Sequence, residues 1–168
     1  MKMSDKLTQS FSDQVTMEIT ASLAYLQMSA WFESIDLTGM ASWMRIQSEE
    51  ERLHAIRFID FVLDRGNTPI IGETAKPRAS FGSLKEVFEA ALAQEQSVTQ
   101  SIRALYLQAS EEKDIESYSL LDAFLTEQVE EESTIQRILG QLGHAGQDGS
   151  ALLMLDRELG TRTLAAQP

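Results

Sequence analysis

Apolar residues recur at steps of three and four through most of the chain, the spacing that aligns one face of an α-helix. The first such series is Leu7, Phe11, Val15, Glu18, Ser22, Tyr25, Ser29 and Phe32. Ser4 or Asp5 stands where an N-cap belongs, and the pattern predicts a helix that stops near Ser34 to Asp36. The second series is Met40, Met44, Gln47, Glu51, His54, Phe58 and Phe61. It predicts a helix from Thr38 or Gly39 to Gly66, where a glycine suits a C-terminal stop. So short a link makes the two helices antiparallel neighbours.

Between Asn67 and Gly82 the period lapses, and Pro69 and Pro77 fall in this stretch. A helix of about 28 residues is about 42 Å long at ~1.5 Å per residue, and ~16 extended residues span about 50 Å. The segment can therefore run the length of a bundle and leave helices two and three parallel. Ser83, Leu84, Lys85 and Glu86 read as a capping box opening a third helix, with the inner series Leu84, Phe88, Ala91, Glu95, Ile102, Tyr106 and Ala109. A brief break at Glu111 to Asp114 turns the chain into a fourth, with Leu121, Phe124, Gln128, Glu131, Ile135, Ile138 and Leu142 inward. Gly143, Gly146 and Gly149 are expected to end it, and Ser150 to cap a short fifth helix at about 150–160. Its leucines, Leu152, Leu153, Leu155 and Leu159, are expected to be buried against neighbouring copies. The pattern thus predicts an all-α four-helix bundle with a long crossover between helices two and three and a short C-terminal fifth helix. One domain over 1–168 is expected, with the bundle at about 4–142.

Charge narrows the partners. Lys and Arg number 14 against 26 acids, a net charge of −12, which leaves no clustered basic face for phosphates, so no nucleic-acid partner is expected. The absence of cysteine excludes disulfides, thiolate zinc sites and iron–sulfur clusters, so any metal must rest on oxygen and imidazole. The N-terminus enters an amphipathic pattern directly, and no run of about 18 apolar residues exists, so no membrane association and a cytoplasmic location are expected. The scattered methionines read as core filler, Trp31 and Trp43 as core or subunit-contact residues, and His144 and Glu132 as solvated. Thr161 to Pro168 reads as a frayed tail.

The chemistry lies where acids interrupt the inner series: Glu18, Glu51 with His54, Glu95, and Glu131 with Gln128. For Glu50-Glu51-Arg52-Leu53-His54 alone, a hydrogen-bonded core histidine and a metal site are equally good readings. Four acids at one depth of a bundle are different, because their like charges repel strongly unless cations sit among them. Carboxylates with one imidazole suit a dinuclear site for iron or manganese. Glu50, Glu127 and Glu130 lie about 100° around their helices from the inner series, and read either as solvated acids or as a neighbouring cation site.

Glu18 with Tyr25 seven on, Glu50-Glu51-x-x-His54, Glu95 and Glu127-Gln128-Val129-Glu130-Glu131 together resemble the ferritin family, specifically bacterial non-haem ferritins, along nearly the whole chain. That resemblance implies a ferritin-like bundle holding a di-iron centre. Glu18, Glu51 and His54 match the first iron site, and Glu51, Glu95 and Glu131 the second, with Glu51 bridging, Gln128 close by and Tyr25 donating a hydrogen bond from outside. Glu50, Glu127 and Glu130 match a third iron site toward an inner cavity. The implied activity is that of a ferroxidase, oxidising Fe(II) with dioxygen or hydrogen peroxide and storing Fe(III) mineral inside a hollow cage of about 24 subunits. The alternatives are a di-iron oxidase or peroxide scavenger that stores nothing, and a metal-free helical assembly. Haem is not expected, because Arg52 stands where bacterioferritins carry their haem-binding Met, and Thr134 where they carry a second ligand His. Rubrerythrins need cysteines that are absent here, and miniferritins lack the fifth helix.

Overall fold

Ser4 caps the first helix, its Oγ accepting the Leu7 amide at 3.0 Å. The computed structural model describes residues 2–164, in which α1 spans Asp5–Glu33, α2 Thr38–Asp64, α3 Leu84–Glu112, α4 Tyr118–Ala145 and α5 Gly149–Leu159. A short 3₁₀ turn, Ile115–Ser117, lies between α3 and α4. The α1–α2 turn closes through Asp36 at φ 63°, a left-handed conformation that aspartate tolerates better than most residues.

The crossover between α2 and α3 has no regular structure and lies along α1. Asn67 binds Met3 and Thr8, the Ile70 amide donates to Ser12 at 3.1 Å, the Gly72 amide to Thr16 at 2.8 Å, and Phe81 packs edge-on to Trp31. It therefore runs from the start of α1 to its end, as its length suggested. α3 then returns beside α1, with Ser10 reaching Gln108 at 2.7 Å, so α2 and α3 are parallel. Ser83 caps α3 through the Glu86 amide, but Glu86 answers to the amide of Gly82 rather than that of Ser83, because Arg78 draws its carboxylate toward the crossover.

Buried apolar side chains divide into two clusters. One holds Phe32, Met40, Trp43, Phe88 and Ile138, and the other Phe11, Phe58, Ile102, Leu121 and Phe124. Between them lie the buried polar residues Gln14, Glu18, Gln47, Glu51, His54, Glu95 and Gln128. A bundle with an apolar core at both ends and a polar layer midway is the arrangement the interrupted series foretold.

Two expectations about α5 change. Asp148, not Ser150, caps it, its carboxylate accepting the Ser150 and Ala151 amides. Leu155 and Leu159 are buried within their own chain, in the cluster of Met40 and Trp43, while Leu153 is 51 % exposed and Met154 71 %. The cause is contact with α2: the Asp156 carboxylate accepts the Met40 amide at 2.8 Å, capping a helix whose own preceding residue, Leu37, offers no side-chain acceptor. Only glycine fits at Gly39, since a Cβ there would sit 1.8 Å from the Asp156 carbonyl oxygen. α4 also continues through Gly143 and ends only at Gly146, at φ 56°. Of the expected frayed tail, Ala165 to Pro168 lie outside the described residues, whereas Thr161 and Arg162 are held back to Glu158 and Leu159 by backbone bonds.

Candidate metal centre

Glu18 of α1 and Glu51 and His54 of α2 each offer a ligand atom, and these atoms lie within 4.8 Å of one another. Helical spacing explains the pair on α2, for residues three apart share a face. Both glutamates are fully buried and His54 is 5 % exposed. Gln14 donates to one Glu18 oxygen at 2.7 Å and Gln47 to one Glu51 oxygen at 3.0 Å. The second oxygen of each carboxylate, with His54 Nδ1 and Gln128 Oε1, has no hydrogen-bond partner. Buried polar atoms left without a hydrogen bond carry a free-energy penalty of about 1–3 kcal/mol each, so four such atoms together mark a place for a ligand.

Protonation offsets the like charges of this constellation. Burial pushes the Glu18 carboxyl well above the usual range, and the charge of Glu51 adds to the effect. Glu95 is driven up the same way, by burial and then Glu51. Burial opposes ionisation of Glu51 too, but the His54 imidazole together with hydrogen bonds from Glu18 and Gln47 outweighs it and holds the group low. Burial likewise disfavours a charged His54, yet Glu51 and Glu18 raise it to about 9. These directions favour neutral Glu18 and Glu95 around one imidazolium–carboxylate pair, with His54 Nδ1 3.4 Å from Glu51 Oε2. Protons stand in for the charge of a cation.

Glu95 of α3 is drawn aside from the trio. It accepts the Tyr25 hydroxyl on one oxygen and the Gln128 amide, at 3.0 Å, on the other. Glu131 accepts the Gln47 amide at 3.0 Å, and burial, then Glu51 and Glu50, push it up to about 7. The three offset acids separate. Arg57 binds Glu127 at 2.7 and 2.9 Å, leaving Glu127 3.5 Å from His54 Nε2, whereas Glu50 pairs with Arg162 in a cleft that exposed Glu130 also lines.

Gln14, Arg57 and Arg162 were not singled out by sequence reasoning. Gln14 stands one helical turn before Glu18 and Arg57 one turn after His54, a spacing that could have found both. Arg162 had no such signal, being 115 residues from Gln47.

The model of the ferritin-like domain matches residues 9–144. The chain belongs to the ferritin family. A protein named bacterial non-heme ferritin from Escherichia coli O6:H1 is 34 % identical over 156 residues, 93 % of this chain and 94 % of its own length. One of the same name from Staphylococcus aureus (strain MRSA252) is 35 % identical over 161 residues, covering 96 % and 97 %. Among solved structures, a closed form of the Archaeoglobus fulgidus ferritin, engineered by site-directed mutagenesis, is similar to this one with a TM-score of 0.95 at 36 % identity, over 98 % of this chain and 100 % of that one. The open pore ferritin from the same archaeon gives 0.94 at 36 % identity, over 96 % and 100 %. No helix of this ferritin, among the described residues, is long and apolar enough to cross a membrane.

Proposed function

We propose that this ferritin is a ferroxidase that takes up Fe(II) as substrate at Glu18, Glu51, His54, Glu95 and Glu131, passes its electrons to dioxygen, and stores the Fe(III) product inside a cage of about 24 copies. The observation that carries the reading is the set of buried atoms on Glu18, Glu51, His54 and Gln128 that make no hydrogen bond, in the layer between the two apolar clusters. Bound iron would supply the redox chemistry, and carboxylate oxygens favour the harder ferric ion.

The remaining work belongs to side chains around the ligands. Gln14 and Gln47 each hold one carboxylate oxygen and so aim the other into the centre. Tyr25 and Gln128 fix Glu95 beside it, ready to turn inward when a cation replaces its proton. Uptake must release the protons held by Glu18, Glu95 and His54, and these are available to reduced oxygen. Glu50, Glu127 and Glu130 are the candidates for a third cation position. Exposed Leu153 and Met154 on α5 support packing against further copies. A cytoplasmic protein supplied with ferrous iron fits the absence of cysteine.

Aerobic loading tests the reading. Stopped-flow absorbance should show fast oxidation of about two Fe(II) per subunit, lost in His54→Ala, and sedimentation after excess iron should show a dense loaded particle. Equal rates in the variant and wild type, or iron that never travels with the protein, would contradict it.

A further inference from the structure

Arg162 lies beyond the last helix, yet its guanidinium is held on three sides. One nitrogen donates to Glu50, another to Gln47 Oε1 at 2.7 Å, and the group stacks 4.6 Å from the Trp43 ring centre. The side chain is 22 % exposed. Its backbone is fixed as well, for the Arg162 amide returns to the Leu159 carbonyl at 3.2 Å and α5 is bound to α2 through Asp156. The side chain lines an open cleft of about 490 Å³, together with Glu130, Glu131 and Arg137. A positive group thus already sits among acids that would otherwise repel one another.

The bond to Gln47 joins this cleft to the buried centre. Because Gln47 Oε1 accepts from Arg162, the amide nitrogen is turned toward Glu51 and Glu131, each 3.0 Å away. Arg162 therefore sets the amide that stands between those carboxylates. A divalent ion arriving at Glu50 meets a guanidinium already bound to that carboxylate, and the two positive charges repel at this range.

Building on the reading of the buried acids as an iron centre, we propose that Arg162 is a tethered cation that holds the Glu50–Glu130–Glu131 cleft in competition with divalent ions. An ion lodges there, or passes between cleft and centre, only when the guanidinium swings out. Arg162 is a positioning and gating residue of the chain's own making, and it has no part in the electron transfer itself.

Redox-inert zinc(II) tests this on the assembled protein, by calorimetric titration and anomalous diffraction from soaked crystals. Arg162→Gln is expected to take one more ion per subunit than wild type, at Glu50 and Glu130, at a zinc concentration about tenfold lower than wild type needs there. Arg162→Lys keeps the charge and should exclude that ion as wild type does. In wild-type crystals at saturating zinc, any ion in the cleft should coincide with an Arg162 displaced from Glu50. Equal cleft occupancy in wild type and the glutamine variant, a lysine variant as permissive as glutamine, or zinc bound beside an unmoved Arg162 would each overturn the proposal. Absence of zinc from Glu18, Glu51 and His54 in every protein would instead contradict the iron-centre reading, and the cleft comparison would still judge Arg162.

Discussion

Tyr25 of α1 donates its hydroxyl hydrogen to Glu95 of α3, and both residues are fully buried. Burial, with the Glu95 charge behind it, pushes the Tyr25 hydroxyl well above its usual range, so it remains a donor at any physiological pH. Tyr25→Phe strips one Glu95 oxygen of its partner. Denaturant unfolding should show a loss of about 1–3 kcal/mol, and iron oxidation should slow while the number of ions bound is kept. Unchanged stability would show that the bond matters little.

Glu18 gives a prediction whose sign depends on pH. Unfolded, the carboxyl titrates near 4.5, and in the folded chain burial and then Glu51 hold it well above that value. Above pH 4.5 the folded chain keeps a proton that the unfolded chain releases, which lowers stability as pH rises. Glu18→Gln removes this penalty. The apo variant should be more stable than wild type at neutral pH, with the gain fading as pH falls below 4.5. An apo variant less stable than wild type at neutral pH would contradict the argument.

Proton release follows from the same groups. The upward shifts of Glu18, Glu95 and His54 favour their protonated forms, and ligation requires them bare. Zinc binding should release protons, with affinity rising up to about pH 9, the value for His54. Calorimetry in two buffers of different ionisation enthalpy measures this directly, and identical heats in both would refute it.

The joint between α2 and α5 is equally testable. Asp156→Ala leaves the Met40 amide uncapped and should cost about 1–2 kcal/mol. Gly39→Ala should be worse, because its new methyl meets the Asp156 carbonyl at 1.8 Å and α5 must lift away. Hydrogen exchange across α5 should accelerate in both variants, more so in the second. Protection equal to wild type would mean that α5 is held by something else.

Much of this was legible in the sequence because helical periodicity and burial obey the same geometry. Glu18, Glu51, His54 and Glu95 stood out as acids and a histidine on apolar series, and those series are the buried faces. What stayed hidden were contacts between residues far apart in the chain. Nothing near Asp156 announced that it would cap a helix 116 residues earlier, so the α5 leucines were assigned to other subunits although Leu152, Leu155 and Leu159 pack on their own. Arg162 was hidden for the same reason, and reading its segment as frayed overlooked a cation that reaches Glu50 and Gln47 together. The offset acids looked alike by angle alone, yet Arg57 and Arg162 divide them between two sides of the centre.

The most direct test of the account is an anaerobic Fe(II) soak of a wild-type crystal, measured at the iron absorption edge. The expected result is anomalous density bound by Glu18, Glu51 and His54, with a second ion drawn between Glu51, Glu95 and Glu131 as Glu95 turns from Tyr25. Crystals that take up iron elsewhere and leave these side chains bare would contradict the account.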